Sequence, residues 1–117
     1  MKRLSSATFN SFRGIRDGIR TEPAIRDEAV LLAIGVPVGL LVAPSIAWYV
    51  AMIGSMLAVL AIEFLNTAVE KLADHVTPEH HKEIGRIKDF GSGAVFCGLC
   101  LTGLVWLAAL ALRIGGM

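Results

Sequence analysis

The sequence predicts an all-α integral membrane protein, with an N-terminal amphipathic surface helix followed by three transmembrane helices. Three observations carry that expectation. The chain has 117 residues, 55% of them hydrophobic, and a mean hydropathy of +0.65, so a single small domain (1–117) is strongly apolar. Residues 29–62 and 90–112 contain no Asp, Glu, Lys or Arg, and uncharged runs beyond about 18 residues are candidates to span a bilayer. The basic residues fall in two blocks, before the first run and between the two, with only Arg113 after the second. The competing fold is a soluble bundle with an all-round apolar core.

The first element, 1–21, reads as the surface helix. Leu4, Phe12, Ile15 and Ile19 cluster on one side of a helical wheel, with Arg13, Arg16 and Arg20 along a flank. That pattern suits a helix lying on membrane lipids, its arginines reaching phosphate headgroups. A plain basic topology anchor fits the same residues. No short apolar core with a small-residue cleavage site is present, so no cleavable signal peptide is expected.

The run 29–62 is too long for one helix and short for two, which need about 40 residues. Pro44-Ser45 near its middle is a turn signal. The chain therefore predicts a helical hairpin with arms 22–43 and 46–74, each borrowing residues from its charged flank. Residues 75–88 form the connecting loop, and 89–113 the last span. Gly35 and Gly39 flank Pro37 in the first arm, which allows close helix approach and a tolerated kink. Gly91, Gly93, Gly98 and Gly103 give the last span the same small-residue character, and so thin a bundle invites self-association.

Topology follows from the positive-inside rule. Lys2, Arg3, Arg13, Arg16, Arg20 and Arg26 precede the first run, and Lys71, Lys82, Arg86 and Lys88 flank the second turn. The hairpin tip has no basic residue. The N-terminus and the 75–88 loop are therefore expected on the cytoplasmic side of a multi-pass protein. The net charge of +1 gives no sign of a nucleic-acid partner. Cys97 and Cys100 form a C-x-x-C inside an apolar helix, where two small apolar side chains are the expected role. His80-His81 reads as solvated loop.

One stretch breaks the apolar pattern: IEFLNTAVEKLADHV, residues 62–76. At 100° per residue, Glu63, Asn66, Glu70 and Asp74 fall within a sector of about 80°. A carboxylate in hydrocarbon costs at least about 2.5 kcal/mol on insertion scales. Pairing with a basic residue or marking a helix end accounts for Asp74 and Glu70, but poorly for Glu63 and Asn66. Carboxylates at a membrane surface can hold Mg²⁺, which prefers oxygen ligands and retains phosphate and water. Glu70 is one candidate ligand, and Glu22 at the cytoplasmic end of the first span can meet it. Glu28, further in, suits a polar lipid group. Lys88 offers a cation to phosphate beside Asp89, where the last helix is expected to start and its N-terminus to favour anions. Acids, a base and a phosphate site at one depth suggest phosphoryl transfer to a lipid hydroxyl. No G-x-x-x-x-G-K-[ST] motif is present, and Phe96 breaks the G-x-G-x-x-G begun at Gly91. These residues alone fit both a kinase and a proton-coupled transporter.

Glu63-Phe64-Leu65-Asn66-Thr67-Ala68-Val69-Glu70 with Asp74, followed by Lys88-Asp89-Phe90-Gly91-Ser92-Gly93-Ala94-Val95, resembles the signature of the prokaryotic diacylglycerol kinase family. Ser11-Phe12-Arg13-Gly14-Ile15-Arg16 and Glu22-Pro23-Ala24-Ile25-Arg26-Asp27-Glu28 extend the likeness upstream, over nearly the whole chain. The resemblance implies a homotrimeric inner-membrane kinase of bacteria, taking MgATP as phosphoryl donor and diacylglycerol as acceptor, with active sites shared between subunits. It implies Glu63 as general base or as the group orienting the lipid hydroxyl, with Asn66 in support. Glu22 and Glu70 would bind the Mg²⁺ that bridges the phosphates. Arg3, Asn10, Glu79, His80, His81, Lys88 and Asp89 match nucleotide positions. Ala24, Arg26, Glu28, Ser92 and Trp106 match positions near the lipid substrate. Pro23 departs from the small residue usual after the first glutamate, and bears on how Glu22 is presented. Undecaprenol, a related lipid alcohol, is the alternative acceptor on the same scaffold; the long surface helix and the charged segment at Arg26–Glu28 look more like the diacylglycerol branch.

Overall fold

A computed structural model of the chain describes residues 2–77 and 82–115. It contains four helices: α1 Lys2–Thr21, α2 Pro23–Val42, α3 Ile46–Val76 and α4 Lys82–Ile114. No strand occurs among the described residues. Glu79, His80 and His81 lie outside them.

The joints form where the sequence punctuates. Pro23 occupies the first turn of α2, and Glu22 before it is extended at φ −115°, ψ 111°, as a residue preceding proline prefers. The α2–α3 turn falls at Pro44-Ser45, and the Ser45 hydroxyl caps α3 by accepting from the Trp48 N–H at 3.2 Å. Arg113 at the end of α4 donates to the Ala43 carbonyl at 3.3 Å, tying the chain's last turn to that hairpin tip.

One boundary differs from expectation. Residues 82–88, expected as loop, are helical and make the first turns of α4. The Glu83–Arg86 pair at 3.6 Å and the Arg86 guanidinium 5.9 Å from the Phe90 ring link successive turns of that charged segment. Lys88 and Asp89 thus lie inside α4, and the anion preference of a helix N-terminus does not act at them.

α3 is the central helix. It packs most extensively on α4 and next on α2, while α2 and α4 barely touch each other. Gly35 faces Met56 and Trp106, and Gly39 faces the Tyr49 ring, so both glycines of α2 serve close approach as expected. The Tyr49 hydroxyl donates to Val36 O at 3.0 Å, beside Pro37. Along the α3–α4 seam, Gly98 receives Val59 and Ile62, the Ser55 and Thr102 hydroxyls lie 2.8 Å apart, and the Trp106 indole donates to Met52 O at 3.2 Å.

α3 and α4 are long and apolar enough to cross a membrane. Only 22% and 11% of their most apolar stretches are buried, whereas the core helix of a soluble bundle is mostly covered, so the fold is consistent with a membrane protein. α2 stands apart: every 18-residue window within it contains Arg26, Asp27 and Glu28, leaving an uncharged segment of 29–42, about 21 Å long at helical rise. α1 buries no residue and exposes Leu4, Phe9 and Phe12. It is attached at its C-terminal end, where Gly18 meets Phe64 and Ile25. There the Arg26 guanidinium donates to Ile19 O at 3.0 Å and Arg20 O at 2.8 Å, closing carbonyls that a helix end leaves open.

Candidate active site

Among the described residues, Glu63 is the one buried carboxylate, 8% exposed. It sits on the face of α3 turned toward α2, where Glu28 lies within Coulombic range, as does Glu70 two turns along. Three carboxylates from two helices thus share one end of the bundle. The stripe read from the sequence survives in the fold, graded from buried Glu63 through half-buried Asn66 and Glu70 to exposed Asp74.

Two lysines sit near the outer end of the stripe. Glu22 accepts from the ammonium of Lys71, the residue after Glu70, at 3.1 Å and from the Thr21 hydroxyl at 3.2 Å. The Lys71 hydrogen bond holds the Glu22 carboxyl below its usual range, against an opposing desolvation. Lys88 donates to Asp74 at 2.6 Å across the α3–α4 seam, which fixes the ammonium beside the acids. Further in along α3, Asn66 turns its Oδ1 into the seam against Gly91, where it is buried with no hydrogen-bond partner among the described residues.

The donor set suits a hard divalent cation in type. Among the described residues no three His, Cys, Asp or Glu converge as a ready-made metal cage. Mg²⁺ does not need one: it is commonly held by one or two carboxylates, with phosphate and water completing the shell. Glu22, bonded to the residue that follows Glu70 on α3, and Glu70 itself are oxygen donors of the type that mode uses.

The remaining expected positions are more dispersed. Asp89, Ser92 and Ala24 are exposed near the same end of the bundle. Arg26 is engaged with α1 as described. Trp106 lies beside Met52, about 16 Å along α3 from Glu63, and lines a groove of about 310 Å³ with Leu31, Gly35, Met56 and Thr102. That depth suits hydrocarbon, not a reacting hydroxyl. Asn10 accepts from Arg13 at 2.8 Å on exposed α1, and Arg3 stands about 28 Å along that helix from Glu22, so one chain does not bring either to the acids. Cys97 and Cys100 are free thiols on the exposed face of α4. Sequence reasoning missed Lys71, Asp74 as the partner of Lys88, and Gly91. The available signal was that each acid of the stripe required a cation or a polar neighbour.

A sequence model of the family described as prokaryotic diacylglycerol kinase matches residues 9–110. The chain is 38% identical over 103 residues to a diacylglycerol kinase of Haemophilus influenzae, an alignment covering 88% of this chain and 87% of that protein. It is 34% identical over 110 residues to a diacylglycerol kinase of Pseudomonas aeruginosa, covering 94% and 89%. The diacylglycerol kinase of Escherichia coli is 31% identical over 104 residues, covering 89% and 85%.

Proposed function

This chain belongs to the prokaryotic diacylglycerol kinase family, and from that premise we propose that it transfers the γ-phosphoryl group of MgATP to the free hydroxyl of diacylglycerol, giving phosphatidate. Kinase activity follows from the family; acceptor and donor are the proposal. The observation that carries it is buried Glu63 facing Glu28, with Glu70, Asn66 and the Lys88–Asp74 pair at the same end of the bundle.

The chemistry is mainly positioning and charge neutralisation. The lipid hydroxyl enters between α2 and α3 beside Glu63. As its oxygen bonds to the γ-phosphorus, the bond from that phosphorus to the β-phosphate bridging oxygen breaks and ADP leaves. Glu63 takes the hydroxyl proton. Lys88, steadied by Asp74, sets its ammonium against the phosphates. Glu22 and Glu70 would hold Mg²⁺, which when bound neutralises charge on the phosphate oxygens. Lys71 holds the Glu22 carboxylate in place by their ion pair until the metal binds.

The reading extends to the membrane. α2 is the third span, its charged first turns at the headgroups and its short apolar segment in hydrocarbon. The N-terminus and the α3–α4 connection lie on the cytoplasmic side of the bacterial inner membrane, where ATP is present. The wide apolar faces left open on α2 and α4 support assembly as a homotrimer, with acyl chains and neighbouring subunits covering them.

Phosphate transfer by purified protein in mixed micelles tests this. Diacylglycerol, undecaprenol or no lipid is offered with MgATP, and Glu70→Gln is the control. Phosphatidate formed by the wild type and reduced at least tenfold in the variant is expected. Label on undecaprenol alone would change the acceptor, and no transfer to either lipid by folded protein would overturn the reading. The names of the relatives do not favour undecaprenol.

A further inference from the structure

We propose that Gly91 is a positioning residue for Asn66: the bare Cα of α4 admits the Asn66 amide oxygen into the α3–α4 seam and so fixes the amide between Glu63 and Glu70. This rests on the kinase reading for its effect on turnover, but not for the placement itself.

Two independent features converge here. The Asn66 Oδ1 is buried, with no hydrogen-bond partner among the described residues. A buried acceptor left unpaired is unfavourable, and what holds this oxygen in the seam is its packing against α4. The packing partner is Gly91: a Cβ at that position would overlap Asn66 Oδ1 and crowd its Cγ. Such an overlap needs movement, and the atom in the way belongs to a short side chain with few rotamers. Asn66 is three residues after Glu63 and four before Glu70 on one helix face, so a rotamer change moves the amide relative to both carboxylates.

Gly98 provides an internal contrast on the same helix. A Cβ there would meet Ile62 Cδ1 at 3.1 Å and Val59 Cγ2 at 3.4 Å. Those are ends of hydrocarbon side chains, which yield slightly and carry no chemistry. A helix interior prefers alanine to glycine. Gly91→Ala should therefore leave the helix intact or firmer while displacing one functional side chain.

The chain makes the displacement directly visible. Asn10 and Asn66 are its two asparagines, and it contains no glutamine. Side-chain amide NH₂ resonances of ¹⁵N-labelled full-length protein in detergent micelles therefore arise from two residues, and Asn10→Asp assigns them. Gly91→Ala is expected to move the Asn66 pair and leave the Asn10 pair in place, whereas Gly98→Ala leaves both. Turnover of MgATP with diacylglycerol is expected to fall at least tenfold in Gly91→Ala with KM for either substrate changed less than threefold, and less than twofold in Gly98→Ala. Unmoved Asn66 resonances in Gly91→Ala would overturn the placement. Moved resonances with wild-type turnover would overturn the catalytic consequence. Failure of wild-type protein to phosphorylate any lipid would overturn the kinase reading, and the resonances would still decide the placement.

Discussion

The α3–α4 seam is built twice, with different materials. Its inner half joins Val59 and Ile62 to Gly98, Ser55 to Thr102 and Met52 to Trp106. Its outer half joins Asn66 to Gly91 and Asp74 to Lys88. Both halves use glycine to bring the helices together, and both place polar groups in the contact. The inner half satisfies its polar groups: the two hydroxyls bond each other, and the indole finds a carbonyl. The outer half leaves one oxygen orphaned and one lysine held by an exposed acid, and the buried Glu63 carboxylate lies on the neighbouring α2-facing side of the same helix. Satisfied groups stabilise; unsatisfied ones are kept where a ligand completes them. The inner half should therefore answer mutation in stability, and the outer half in activity.

The strongest break of that contrast is Glu63→Gln. Loss of a general base typically costs about 10²–10⁴ in rate, so kcat should fall by at least about a hundredfold. Stability should stay equal or rise, because the substitution removes a buried charge that faces two like charges. Phosphate-transfer assays beside thermal unfolding in micelles check both. A Glu63→Gln protein that unfolds more readily while retaining turnover would assign Glu63 to structure.

Glu70→Gln comes next, with an expected loss of about tenfold to a hundredfold. It should also raise the Mg²⁺ concentration needed for half-maximal rate, because one of two carboxylate ligands is lost. A Mg²⁺ titration of the variant against wild type reads this. An unchanged midpoint with reduced turnover would move Glu70 out of the metal's shell.

Lys88→Met is expected to raise KM for ATP several-fold by removing a phosphate-facing cation. Asp74→Asn should do the same more weakly, about twofold to threefold, since the lysine stays charged but loses its steadying partner. The pair is partly exposed, so its contribution to folding is small, about 0–1 kcal/mol. Equal losses in both variants would indicate that Asp74 itself meets substrate.

How far the sequence foretold this division differs between the halves. The helical class, the turn at Pro44-Ser45 and the glycine approaches at Gly35 and Gly39 were legible, because each follows from local composition or spacing. The graded stripe from Glu63 to Asp74 was legible because helical period alone puts those residues on one face. The start of α4 was not: residues 82–88 are charged like a loop, yet they continue the helix, with contacts one turn apart between Glu83, Arg86 and Phe90. The partners of the acids were not legible either. Lys71 meeting Glu22, and Lys88 meeting Asp74, depend on how α2 and α4 register against α3. Gly91 was visible only as one small residue among several, since a neighbour, not a pattern, distinguishes it from Gly98.

The finest test of the comparison lies in the inner half. Ser55→Ala combined with Thr102→Val removes both hydroxyls from the seam and leaves no orphan, with the valine filling the threonine's volume. Hydrogen bonds between membrane helices average about 0.6 kcal/mol, so stability to denaturant in micelles should drop by about that amount or less. Turnover should stay within twofold, because the pair lies about 12 Å along α3 from Glu63 and touches none of the acids. Single Ser55→Ala should behave like the double variant, since the Thr102 hydroxyl can turn to a carbonyl of its own helix. A tenfold loss of turnover from the double variant would mean that the inner seam sets the geometry of the outer one, and that the two halves work as a single element.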